Sequence, residues 1–159
     1  METNTVLDGK QYIVVKLGAE QFGIDIMFID NIVKLQRITR VPKVQKHFKG
    51  VINLRGDIVP VMSLRLKFGV EDDTYTDTTR IIILKPEGKE AMGVIVDAVR
   101  EVVTLTEDEI DKVTYTPNNE NYKYISGIGK YNESLISILN LTSFVSDKEK
   151  DKEKDKENV

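Results

Sequence analysis

Apolar residues fall along this chain mostly in short alternating runs, the period-2 signature of half-buried strands. Phe-Gly-Ile-Asp-Ile (22–26) and Ile-Val-Pro-Val-Met (58–62) carry it, while QYIVVKL (11–17) and RIIILKP (80–86) are β-branched runs of strand length. The pattern is used twice. Gly23 and Gly93 are each followed by Ile or Val at +1, +3, +6, +9 and +10, and GVINLRGDIVPVMSL (50–64) matches GIGKYNESLISILNL (127–141) without a gap. The spacings are 70 and 77 residues in the same order, which points to an internal duplication. Each half, about 8–70 and 75–146, predicts five or so short strands, the content of a small closed barrel. The join falls in the polar stretch 69–79. The expected fold class is mainly β, with a few short helices.

Local signals refine this picture. Pro60 cannot donate to a ladder, so its strand is expected at a sheet edge or at a bulge. The +6, +9 and +10 positions after each repeated Gly fit either one helical turn or a bent strand. SLRLKFG (63–69) and NLTSFVSDKEK (140–150) each suit a short helix closing its half. Thr106 followed by Glu107, Asp108 and Glu109 resembles a helix start with its cap and first-turn acids. Residues 147–157 alternate acid and base and offer nothing apolar to bury, so 147–159 reads as a solvated, disordered tail. Truncation after Ser146 is expected to leave the melting temperature and partner affinity unchanged; a drop in either would show that the tail docks.

Composition then removes most kinds of chemistry. The 159 residues are 40% apolar and 31% charged, as in a globular protein, with a net charge of −3 that gives no global attraction to nucleic acid or anionic lipid. There is no Cys, hence no disulfide, thiolate metal site or thiol nucleophile. METNTVLDGK lacks the basic start and apolar core of a secretory signal, and no apolar stretch approaches the roughly 20 residues of a membrane-spanning helix. A cytoplasmic protein is expected. The single His, His47, reads as a surface side chain in a basic stretch, and no nucleophile elbow, P-loop or G-x-G-x-x-G is present. Glu71-Asp72-Asp73 reads as a solvated loop. No catalytic residue, metal or cofactor is expected.

Nucleic-acid binding is the rival reading. Between Asp30 and Asp57 there is no acid, whereas Lys34, Arg37, Arg40, Lys43, Lys46, Lys49 and Arg55 are all basic. Small barrels bind single strands on such surfaces, but they also stack bases on aromatics, and this segment offers only Phe48. A locally basic surface balanced by acids elsewhere in space, or an acidic protein partner, explains the charges equally well.

KGVINLRGDIVPVMSLRLKFG (49–69) closely resembles the signature of CheW-like chemotaxis adaptor domains. QFGIDIMFIDNIV (21–33), ITRVPKVQKHFKGV (38–51), MGVIVDAVREVVTL (92–105) and YISGIGKYNESLISILNL (124–141) follow that family's order and spacing, so the resemblance covers about 8–146. It implies two intertwined five-stranded SH3-like β barrels with strands exchanged at the termini. It also implies a non-catalytic adaptor that couples the cytoplasmic tips of methyl-accepting chemoreceptors to the regulatory domain of the histidine kinase CheA. Such a protein would be cytoplasmic and recruited to membrane-associated receptor arrays, with no nucleic-acid partner and no direct membrane insertion. An interface of about 800 Å² per partner would suit a reversible array member.

Carried over by position, the resemblance marks Arg55 for receptor contact, Gly50 as the glycine opening that strand, and Ile29 and Val102 as apolar positions linked with partner binding and coupling. Asn31 stands where relatives often carry Glu, and Asp111 stands where some carry a basic residue. The repeat supplies structural readings for part of this set. Ile29 and Val102 both fall on the duplicated apolar pattern, which suits a core, and Gly50 pairs with Gly127, which suits a backbone requirement. Arg55 has no such reading, because its counterpart is Asn132.

Overall fold

The alternating and β-branched runs form the strands of a computed structural model that describes residues 9–86, 88, 90–113 and 123–144. The first half contributes β1 (Lys10–Leu17), β2 (Glu20–Asp25), β3 (Ile29–Lys34), β4 (Phe48–Leu54) and β5 (Asp57–Ser63), and closes with helix α1 (Leu64–Lys67). The second contributes β6 (Arg80–Leu84), β7 (Met92–Val96), β8 (Ala98–Leu105), β9 (Ile110–Lys112), β10 (Ile125–Tyr131) and β11 (Ser134–Leu139), followed by a helical turn at 141–144. The 147–159 tail lies outside the described residues.

The strands make two sheets, in the orders β8-β1-β2-β11-β10-β9 and β3-β6-β7-β5-β4. In each, the opening hairpin of one half lies between strands of the other, and this is how the two units intertwine. The junctions are parallel and in corresponding register: Ile138 faces Gly23 where β11 meets β2, and Val61 faces Gly93 where β5 meets β7. Short β9 makes the first sheet six-stranded rather than five; its place in the second sheet is taken by a lone bridge between Thr39 and Val51. No ladder joins the outer strands of either sheet among the described residues, so each curls round a core without closing.

Three apolar clusters follow from the alternation. Tyr12, Val14, Val103, Leu105, Ile136 and Ile138 fill one curl, and Ile52, Val59, Val61, Ile81, Ile83 and Ile95 fill the other. Between the sheets lies a larger core that includes Val15, Ile24, Met62, Ile82, Val94 and Phe144. Strand β6 sends Ile81 and Ile83 to one core and Ile82 and Leu84 to the other, which is why it reads as an unbroken apolar run.

The ambiguous signals resolve locally. After Gly23 the chain makes a 3₁₀ turn at Ile26–Phe28, capped by the Asp25 carboxylate, which accepts from the Met27 N–H at 3.0 Å; after Gly93 it bends at Asp97 instead. Glu107–Glu109 is also a 3₁₀ turn, with the Glu109 carboxylate accepting from the Thr106 N–H at 2.9 Å. Pro60 is not on an edge strand, since β5 pairs with both β4 and β7. It is tolerated because pairing with β7 begins only at Val61.

One ion pair ties these elements together. Arg65 of α1 donates from Nε and Nη2 to the Asp97 carboxylate at 2.8 and 2.5 Å, and the Gly18 N–H donates to the same carboxylate at 2.7 Å. The Arg65 guanidinium holds the Asp97 carboxyl below the usual carboxylate range. Because the folded value is depressed, this stabilisation is present at neutral pH and is lost as pH falls below the ordinary value of about 4. Asp97→Asn is therefore expected to lower stability by about 1.5–3 kcal/mol at neutral pH, the worth of hydrogen bonds to a charged group. The deficit should shrink by pH 3. Melts at the two pH values check this, and an equal deficit at both would show that charge plays no part.

Candidate partner-binding hairpin

Arg55 stands at the tip of the β4–β5 hairpin, in a two-residue turn with Gly56. Their φ angles are +54° and +90°, and positive values at both central residues mark the type I′ turn whose twist matches the flanking strands. The Asn53 carboxamide oxygen accepts from the Gly56 N–H at 3.0 Å and fixes the turn. The β10–β11 hairpin is built the same way, with φ +47° at Asn132 and +65° at Glu133. Asn tolerates the left-handed region because its short side chain bonds locally, whereas Arg has no such compensation and sits there at a cost of about 1 kcal/mol. The Arg55 side chain is exposed and forms no ion pair with a described residue.

An apolar neighbour accompanies it. Ile58, opposite Asn53 in the ladder, is 65% exposed, and Leu135, its counterpart on the second hairpin, is 63% exposed. Sequence reasoning missed Ile58. The signal was present, because alternation through 58–62 buries Val59 and Val61 in the curl and turns Ile58 to the opposite face.

The other marked residues divide. Gly50 is buried with φ +141°, and a Cβ there would overlap the Thr39 carbonyl, coming 2.7 Å from its carbon. Thr39 lies so close because its N–H and C=O bracket Val51 at 2.8 and 2.9 Å. Ile29 is half-buried and packs on the central core. Asn31 sits at the bulge between β3 and β6, its Oδ1 accepting from the Ile32 N–H at 2.8 Å. Val102 is 50% exposed on β8, opposite Ile13, which itself packs on the central core. Exposed Asp111 pairs with Lys130 at 3.0 Å, a contact worth little in water. The structure thus joins Arg55, Ile58 and Gly50 on one hairpin. It places Ile29 and Asn31 across β6 and β7 from it, and Val102 on the other sheet.

Two expectations about charged and polar groups are corrected. His47 is half-buried rather than a plain surface side chain, its ring 5.0 Å from that of Phe48 and its carbonyl accepting from the Ser63 N–H at 2.7 Å. The Glu71-Asp72-Asp73 stretch does more than solvate a loop: Asp72 pairs with Lys49 at 2.5 Å, and burial pushes the Asp73 carboxyl up. Acids after the first half fold back on the basic 34–55 segment, a balance in space that linear spacing hides. Among the described residues no group of three or more His, Asp or Glu could hold a metal ion, and no helix is long and apolar enough to cross a membrane.

Two interleaved sheets thus present, at one hairpin tip, an arginine with positive φ and no ion pair to a described residue, beside the exposed Ile58. A model of the CheW-like domain family matches residues 11–149, and the chain belongs to that family. It is 34% identical over 147 residues to the chemotaxis protein CheW of Bacillus subtilis, covering 92% of this chain and 93% of the relative. It is 37% identical over 132 residues to CheW of Helicobacter pylori, covering 82% and 78%. The crystal structure of the scaffolding protein TtCheW from Thermoanaerobacter tengcongensis superposes with a TM-score of 0.74 at 34% identity, covering 84% of this chain and 85% of that one. The chain is a CheW-type chemotaxis scaffold.

Proposed function

We propose that this chain is a non-catalytic, cytoplasmic adaptor that couples the cytoplasmic tips of chemoreceptors to the histidine kinase CheA within membrane-associated arrays. Arg55 and its neighbour Ile58 meet one partner, Gly50 sets the hairpin that carries them, and Ile29, Asn31 and Val102 border further contact surfaces on the edge strands β3 and β8. The observation that carries this reading is Arg55 at φ +54° where the duplicate turn has Asn132. An arginine in the left-handed region gains nothing from its own turn, which supports a role for its side chain outside the fold. Truncating one partner of a desolvated charge pair commonly costs about 2–5 kcal/mol in binding. In a receptor–kinase–adaptor pull-down, Arg55→Glu is expected to be lost from the complex while melting normally, with Arg55→Lys intermediate. Equal recovery of all three proteins would leave the arginine as turn solvation.

The nucleic-acid reading rests on the basic segment. Lys49 is already paired with Asp72, Phe48 is half-buried, and among the described residues Tyr75 is the only exposed aromatic. Titration with single-stranded DNA at about 0.15 M salt separates the readings. Tight binding with a steep salt slope and no kinase binding would favour nucleic acid.

A further inference from the structure

A cleft of about 610 Å³ opens between the 35–49 segment and the chain that follows α1. Its floor is apolar and rigid, because Leu35 and Ile38 pack on the core of the second sheet and Phe48 on the central core. Its rim carries Arg40, Lys46 and Lys49. The chain's own acidic segment contributes Asp72 and Tyr75 to the lining. Asp72 pairs with Lys49 at 2.5 Å, and Tyr75 is 46% exposed. Arg40 and Lys46 form no ion pair with a described residue. The cleft therefore combines an apolar floor, one cation neutralised by Asp72 and two cations with no ion pair to a described residue.

We propose that this cleft is a second binding site, which takes an extended acidic peptide segment with an aromatic or aliphatic anchor. The peptide's carboxylates pair with Arg40 and Lys46, and its anchor lies over Ile38 and Phe48. The 72–75 segment is an internal example of that chemistry, an acid on a rim lysine followed three residues later by an aromatic at the floor's edge. The volume suits such a segment, since pockets that enclose small ligands run from about 300 to 1,000 Å³. A phosphate ligand fits less well. The cations are on separate long side chains, and the adjoining helix α1 has only four residues, with the Ser63 hydroxyl already accepting from the Leu66 N–H at 3.1 Å. Cations on separate side chains suit carboxylates spaced along an extended segment.

The test uses the intact protein and a fluorescein-labelled peptide, Glu-Asp-Asp-Thr-Tyr-Thr-Asp, which copies residues 71–77. Fluorescence anisotropy is expected to show saturable binding that weakens with salt. Arg40→Glu/Lys46→Glu should weaken it at least tenfold, and the milder Arg40→Gln/Lys46→Gln should weaken it by a smaller factor, with both variants melting like the parent. A peptide with Lys at every acidic position should not bind. Arg55→Glu should bind the acidic peptide as the parent does, which separates this site from the hairpin. Equal affinity of the parent and both charge variants would overturn the proposal. A single-stranded oligonucleotide that bound more tightly than the peptide, and was lost in the same variants, would also overturn it by assigning the cleft to nucleic acid.

Discussion

Gly50→Ala is expected to lower the melting temperature by about 10 °C or more, the largest loss of any single methyl added to this fold. Two effects combine. The φ of +141° is one that L side chains rarely adopt, and the new Cβ would meet the Thr39 carbonyl, part of a backbone bridge rather than a yielding side chain. A strained backbone position costs about 1–3 kcal/mol, and displacing the bridge adds to that, for a total of about 3–5 kcal/mol. At roughly 2–4 °C per kcal/mol for a chain of this size, the midpoint falls accordingly. Gly56→Ala is the control. It also has a positive φ, +90°, but its Cβ would meet nothing within 4 Å, so about 1–2 kcal/mol is expected. Gly127→Ala should fall between them: its φ is not positive, but its Cβ would come 2.6 Å from Ile110 Cγ2 and 3.0 Å from the Asp111 carbonyl oxygen. Melts of the three variants decide the matter, and a Gly50→Ala midpoint level with that of Gly56→Ala would mean the bridge yields freely.

That contrast also shows how much was legible in the sequence. Gly23 with Gly93 and Gly50 with Gly127 marked the duplication, because close backbone approach and tight bends are local demands that one residue type answers. The strand exchange was not legible from spacing. The β2–β11 and β5–β7 junctions are parallel and join residues 115 positions apart in one case and 32 in the other, so no turn signal connects them. The resemblance, not the spacing, carried the word intertwined. Charge pairing was hidden for the same reason. The run of acids at 71–73 and the run of bases at 34–55 each look unbalanced along the chain, and only folding brings Asp72 to Lys49. The hairpin tip was legible as a position, since Arg-Gly-Asp between two alternating runs signals a turn. Its conformation was not. Gly56 alone satisfies most turn types, and only the structure shows that Arg55 also takes a positive φ.

That conformation leads to an outcome in which stability and binding move in opposite directions. Arg55→Asn is expected to raise stability by about 0.5–1 kcal/mol, because Asn is the residue the duplicate turn uses and Asn-Gly is the preferred pair for a type I′ turn. The same variant should lose partner binding nearly as fully as Arg55→Glu, since it removes the five-donor fork and the positive charge together. A residue kept only to build the turn would behave otherwise: Asn would improve the fold and leave binding intact. A residue kept for solubility would tolerate Asn, Lys and Glu alike. Three melts beside three pull-downs therefore separate the roles. A higher midpoint with lost binding for Asn, a normal midpoint with lost binding for Glu, and partial binding for Lys assign Arg55 to recognition. Retained binding in the Asn variant would return it to the turn.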